Sequence, residues 1–128
     1  MASDKAIAEL RAEVEARPRD VSLRQKLGLL LQKSGDRNGG AAQLAIVARL
    51  YLEDGLAIKA VAEWKQVLTL DPTLTAERLL LADLYERLGL TEEAKAEYEA
   101  ALEQLRTSGE AKSILHVVSA LARLNAGV

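Results

Sequence analysis

Cysteine is absent from the 128 residues, which removes disulfide frameworks, thiolate metal sites and cysteine nucleophiles together. A reducing compartment is the expectation. Phenylalanine is also absent, proline occurs twice, and one Trp and three Tyr are the only aromatics, while Ala, Leu, Glu, Lys and Arg fill most positions. So few β-branched and aromatic residues argue against a sheet, and the abundance of strong helix formers predicts an all-α chain. No long apolar run interrupts the opening alternation of Ala with charged residues, so neither a signal peptide nor a membrane span is expected, and the expected location is cytoplasmic. The net charge is −2 and the isoelectric point about 5.5, a balance that excludes a sequence-independent nucleic-acid binder working by counterion release.

What the chain does contain is a repeat. A displacement of 34 places superposes Ala48 on Ala82, Tyr51 on Tyr85, Gly55 on Gly89, Ala60 on Ala94 and Trp64 on Tyr98. The glycine lies four residues after each tyrosine and five before the next alanine, the spacing of one helix ending at a glycine turn where another begins. Helices are predicted at about 3–17, 20–34, 38–54, 56–70, 72–88, 91–107 and 109–125. Gly35, Gly55, Gly89 and Gly109 act as stops. Asp71-Pro72 reads as a helix start with Asp as N-cap and Pro at the first helical position, and Thr91 reads as the next cap, with Glu92 and Glu93 against the helix dipole. The cluster from Ser34 to Gly40 reads as a loop, an ordinary connection between helices.

These residues resemble the tetratricopeptide repeat family, whose 34-residue unit carries a small residue and Tyr on its first helix, Gly at the turn, Ala and an aromatic on the second and Pro near the end. Val47, Ala48, Tyr51, Gly55, Ala60, Trp64, Val67 and Pro72 match one unit, and Leu81, Ala82, Tyr85, Gly89, Ala94, Tyr98 and Ala101 the next. Leu27, Gly28, Leu31 and Gly35 look like the first helix of another, and Ala6, Leu10 and Pro18 like the tail of one before it. Only 20 residues separate Gly28 from Ala48, so the segment from about Gly39 to Asp54 has to close one unit and open the next. The resemblance implies a single domain over 1–128, a helical-hairpin solenoid of about seven antiparallel helices and roughly three repeats. Within it 1–19 is an N-terminal helix, 20–54 a first unit, 41–74 and 75–108 the best-matching units, and 109–128 a C-terminal helix.

The apolar positions follow helical spacing. Ala94, Tyr98, Ala101 and Leu105 keep one side of their helix towards its neighbours, and Ile58, Val61, Trp64, Val67 and Leu68 are read as doing the same, with Trp64 in the core. In the last helix Lys112, His116, Ser119 and Arg123 share one sector, His116 being read as a solvated side chain. Apolar residues spread round the remainder. A terminal repeat has one interface to bury and ordinarily presents a polar outer side. Ile114, Leu115, Val118 and Leu121 are therefore candidates for self-association, or for contact with a further repeat.

No constellation for chemistry emerges: no nucleophile beside a base, no metal cluster, no glycine-rich phosphate loop and no carboxylate pair that stands out from the helical Glu/Lys/Arg background. The expectation is a protein that is not an enzyme and needs no cofactor or metal. Charge is uneven along the chain, with six basic against two acidic residues over 17–37 and nine acidic against four basic over 77–110. The family resemblance implies that the first helix of each unit lines a concave groove, here with Gln25, Leu29 and Gln32, then Ala45, Arg49 and Leu52, then Leu79, Asp83 and Glu86. Of the cationic residues that a clamp for a C-terminal carboxylate requires, Arg49 alone is present, so no such clamp is expected. The groove implies a non-catalytic adaptor that binds a partner helix or peptide, with Asp83 and Glu86 favouring one that carries basic residues. Alternatives are a self-associating structural module, a piece of a larger scaffold, or a small secretion-type chaperone, which no residue selects.

Overall fold

The computed structural model describes residues 2–127. Among them are seven helices and no strand: α1 (Ala2–Ala16), α2 (Val21–Lys33), α3 (Arg37–Glu53), α4 (Ala57–Leu70), α5 (Thr75–Arg87), α6 (Thr91–Ser108) and α7 (Ala111–Asn125). The all-α, helical-repeat reading holds. The chain divides into two compact units, α1 to α4 up to Pro72 and α5 to α7 from Thr73 onward.

Three turns share one hydrogen-bond pattern, and it is the one that the turn glycine serves. Asp36 N–H donates to the Leu31 carbonyl at 2.9 Å, Leu56 N–H to that of Tyr51 at 2.8 Å, and Leu90 N–H to that of Tyr85 at 2.9 Å. Between donor and acceptor sit Gly35, Gly55 and Gly89 with φ of 95°, 77° and 77°. Closing a helix with this bond puts its fifth residue in the left-handed region, where a Cβ is strained and glycine is not. The next helix starts at once, so the residue after the glycine ends one helix and caps another. Thr91 accordingly does not cap α6: Leu90 does, without a side-chain bond, because the turn geometry has already set the start.

Two other expected boundaries are corrected. Asp71 is the C-cap of α4 in an extended conformation, and α5 begins only at Thr75. Proline cannot supply the N–H that would continue α4, so Pro72 acts here as a stop rather than a start. The predicted loop from Ser34 to Gly40 shrinks to a turn, since Asp36 accepts from Gly39 N–H at 2.8 Å and α3 begins at Arg37. Gly39 and Gly40 are helical.

In the first unit each helix packs on the one before it. Val14, Leu23, Leu27 and Leu31 form the core cluster that joins α1 and α2, with Ile7 and Leu10 packed against it. The backbones of α2 and α3 then approach through glycine: a Cβ on Gly40 would lie 3.0 Å from the Gly28 carbonyl oxygen, and one on Gly28 would lie 3.4 Å from that of Gly40. A Gly40→Leu chain should therefore be destabilised by about 1–3 kcal/mol despite its better helix propensity, seen as a lower urea midpoint. A rise in that midpoint would show that the helices can move apart freely. Trp64 is 1% exposed on α4, beside Ala60 and Val67 in the buried stripe. Ile58, in contrast, is 69% exposed. At 3.6 residues per turn it stands about 200° round the helix from Ala60, so its expected place on the core face is corrected. Arg37 closes the C-terminal end of α4, donating from Nε to the Leu70 carbonyl at 3.3 Å and from Nη2 to that of Thr69 at 3.2 Å. A cation there also answers the negative end of the helix dipole.

In the second unit α6 packs on both α5 and α7. The buried side chains are Leu81, Ala82, Leu84 and Tyr85 of α5, Ala94, Tyr98, Ala101 and Leu105 of α6, and Val117, Ala120 and Leu124 of α7. Spacings of four and three keep each stripe towards its neighbour. No described buried side-chain nitrogen or oxygen lacks a hydrogen-bond partner.

Candidate functional site

The residues that family geometry assigned to a groove have different fates. Gln25 of α2 donates to Glu63 of α4 at 3.0 Å and lies 3.4 Å from the Tyr51 hydroxyl of α3, tying three helices together. Burial pushes the Glu63 carboxyl above its ordinary range, and the bond from Gln25 opposes that shift. Ala45 is buried and presents no side chain to a partner. Gln32, Leu52 and Leu79 are half-buried, whereas Leu29 and Arg49 are exposed.

Asp83 and Glu86 are committed within the second unit. The Tyr98 hydroxyl is hydrogen-bonded to Asp83 and lies 3.0 Å from Glu86 Oε1. Nε2 of His116 lies 2.9 Å from Asp83 Oδ1, and it is the donor because a carboxylate only accepts. Arg123 grips Glu86 with both prongs, Nε to Oε2 and Nη2 to Oε1, each at 2.9 Å. The imidazole also meets the Tyr98 ring edge-on, with centroids 6.0 Å apart. Burial raises the Tyr98 pKa most, and the adjoining carboxylates add to the shift by accepting hydrogen bonds from the protonated hydroxyl and by their charge. His116 is thus a partnered group rather than a merely solvated one. The polar stripe of α7 faces the carboxylates of α5, so Asp83 and Glu86 both have partners within the second unit.

In the first unit two basic side chains flank an apolar hollow. Leu10 of α1 and Lys26, Leu29, Leu30 and Lys33 of α2 line an open, mainly apolar hollow of about 250 Å³. Leu29 is 51% exposed there. Lys26 and Lys33 stand two helical turns apart on either side of the leucines, and neither lysine is drawn into an ion pair among the described residues. Of this set only Leu29 was expected. The signal for the rest is legible in Lys26-x-x-Leu29-Leu30-x-x-Lys33, a charge-flanked apolar pair on one helix face. A second hollow of about 340 Å³, lined by Arg11, Val14, Glu15, Pro18, Arg24, Leu27 and Gln43, is less open to a new ligand. Its Arg24 is already bonded to the Pro18 carbonyl and to Gln43. No group of three His, Cys, Asp or Glu side chains that could hold a metal is gathered among the described residues.

No family model matches the chain, and no curated protein matches it by sequence. Solved structures do. YrrB, a TPR protein with an unusual peptide-binding site, superposes at a TM-score of 0.50 and 10% identity over 96% of this chain and 78% of its own. The fold is a tetratricopeptide repeat fold. BtubC (BKLC) from P. vanneervenii shares the TPR-like backbone at a TM-score of 0.62 and 19% identity, over 98% of this chain and 64% of that one. MamA is matched at a TM-score of 0.47 and 14% identity, over 98% and 90% of the two chains. At these identities the likeness is one of backbone. Within the TPR frame the glycines that recur at 34 residues sit at turns, the alanines and Tyr85 are buried and Tyr51 is half-buried, and no described helix is long and apolar enough to cross a membrane.

Proposed function

We propose that this chain is a non-catalytic interaction module that holds a short segment of another protein against the α1–α2 hollow, and that the segment is apolar with acidic residues at its edges. The observation that carries the reading is the exposed Leu29 set between two lysines with no ion-pair partner among the described residues, in a depression of about 250 Å³. Apolar contact supplies affinity and the flanking charges select the register of the segment. The TPR fold supports it, as does the peptide-binding site reported for YrrB on a similar backbone. The carboxylates of α5 serve the reading poorly as a site for basic segments, because Tyr98, His116 and Arg123 already satisfy them.

Fluorescence anisotropy with a labelled amphipathic peptide carrying a Leu pair between two Glu tests it. Binding should weaken at least about tenfold in the Lys26→Glu/Lys33→Glu chain and fall with added salt. The same peptide with Lys in place of Glu should bind the native chain more weakly. Equal affinity for both peptides, or indifference to the double charge reversal, would overturn the proposal.

A further inference from the structure

The α1–α2 hollow sets the spacing of whatever fills it. Lys26 and Lys33 are seven residues apart, about 10.5 Å along α2, with Leu29 and Leu30 between them. A helix that answers them carries two carboxylates at the same separation on one face and a small apolar residue between, against which the protruding Leu29 can settle. The outer face of α6 has that pattern. Glu92, Ala96, Glu99 and Glu103 are all exposed, and their spacing of four, three and four places them in one stripe. Glu92 and Glu99 are again seven residues apart. Their charge is little used within the chain: Glu99 has no ion pair among the described residues, and Glu92, with its side chain 82% exposed, meets only Lys95, at 3.6 Å.

We infer that the occupant of the hollow is the α6 face of a second copy, laid antiparallel on α2. The inference rests on the proposed reading of the hollow and names its partner. In this register Glu99 meets Lys26, Ala96 meets Leu29 and Glu92 meets Lys33. The N-terminal turn of α6 then lies at the C-terminal turn of α2, where the opposite ends of the two helix dipoles attract. The wider charge agrees: basic residues outnumber acidic by six to two over 17–37, and acidic outnumber basic by nine to four over 77–110. The two faces therefore attract each other while each repels its own kind. Every copy offers one hollow and one stripe, so the contact is head-to-tail rather than a two-fold pairing of a single patch. It buries one helix face from each copy, less than the roughly 1,200–2,000 Å² of stable complexes, and assembly depends on concentration and is dispersed by salt. On α7, where self-association was expected, Leu115 and Val118 are exposed and Ile114 and Leu121 half-buried, but none is charged and nothing there selects an occupant.

Sedimentation equilibrium at low salt, from sub-micromolar to millimolar chain, should show the mass rising above one copy and falling back as salt is added. The Lys26→Glu/Lys33→Glu chain and the Glu92→Lys/Glu99→Lys chain should each stay single with their helical circular dichroism retained, because each sets like charges together. Their equimolar mixture should associate, since the native lysines of one can face the native glutamates of the other. The absence of native cysteine allows the register to be read as well: under mild oxidation Leu29→Cys should cross-link to Ala96→Cys, and neither to itself. The Glu92→Lys/Glu99→Lys chain should still bind the Glu-flanked leucine peptide, because its hollow is intact. A native chain that binds the peptide yet stays at one copy at every concentration, or a mixture of the two reversed chains that stays single, would overturn the inference and leave the reading of the hollow standing. A native chain that binds neither the peptide nor a second copy would overturn both.

Discussion

Replacing Trp64 with alanine should lower the stability of the folded chain by about 3–5 kcal/mol. The indole is 1% exposed and is the largest fully buried side chain among the described residues. It occupies a repeat position on the same buried stripe as Ala60 and Val67, both fully buried. Truncation removes the burial of the ring and leaves a cavity that the packed helices cannot fully close. Since domains of this size are stable by only about 5–15 kcal/mol, the variant should stand close to unfolding at ambient temperature. Urea titration followed by circular dichroism measures it, because the substitution removes the chain's only tryptophan and with it the fluorescence probe. Trp64→Phe should recover part of the loss. A cost below about 1 kcal/mol for alanine would place the ring outside the core.

Tyr98→Ala should be of similar size, about 3–5 kcal/mol, and for a compound reason. The ring is fully buried on α6, and its hydroxyl reaches the two carboxylates that hold α7. Tyr98→Phe separates the two contributions. It keeps the ring, and Asp83 and Glu86 retain His116 and Arg123, so at neutral pH it should cost only about 1 kcal/mol. Its signature lies at high pH. The tyrosine is held protonated in the folded chain well above its ordinary value of 10.0. Above that value the unfolded chain releases the proton and the folded chain keeps it, so stability falls as pH rises. The stabilisation is complete below about pH 10 and is lost above it. The phenylalanine variant should lose stability less steeply in that range. What slope remains belongs in part to Tyr85, whose pKa is raised in the same direction by burial first and then by Glu97 and Glu93. An unchanged alkaline slope in Tyr98→Phe would mean that the hydroxyl is not held by these carboxylates.

The outcomes at individual residues show why some of this was legible in advance. Gly35, Gly55 and Gly89 were readable as stops because a left-handed turn residue is a local demand that the chain meets with glycine. Gly39 and Gly40 looked like a loop by the same local logic, yet they lie inside α3. The reason for Gly40 is the Gly28 carbonyl on another helix, which no window of neighbouring residues contains. Asp71-Pro72 carried the right chemistry for a start and was used as an end, because a proline just after a helix stops it as readily as a proline at the first helical position begins one. Within the candidate hollow Leu29 was expected, but Leu10 joins it only through the packing of α1 on α2.

Periodicity and turn glycines belong to the sequence alone because each depends on residues within a few turns of one another, and the 34-residue register does because it compares the sequence with itself. The helices and the core places of Trp64 and Tyr98 follow from them. The tertiary structure decided which charges are spent. His116 and Asp83 are 33 positions apart and Arg123 and Glu86 are 37, so their pairing depends on how α7 lies across α5. Coulomb attraction and hydrogen bonding act over ångströms of space and not along the chain, and so an acidic surface in the sequence became an internal clasp in the fold.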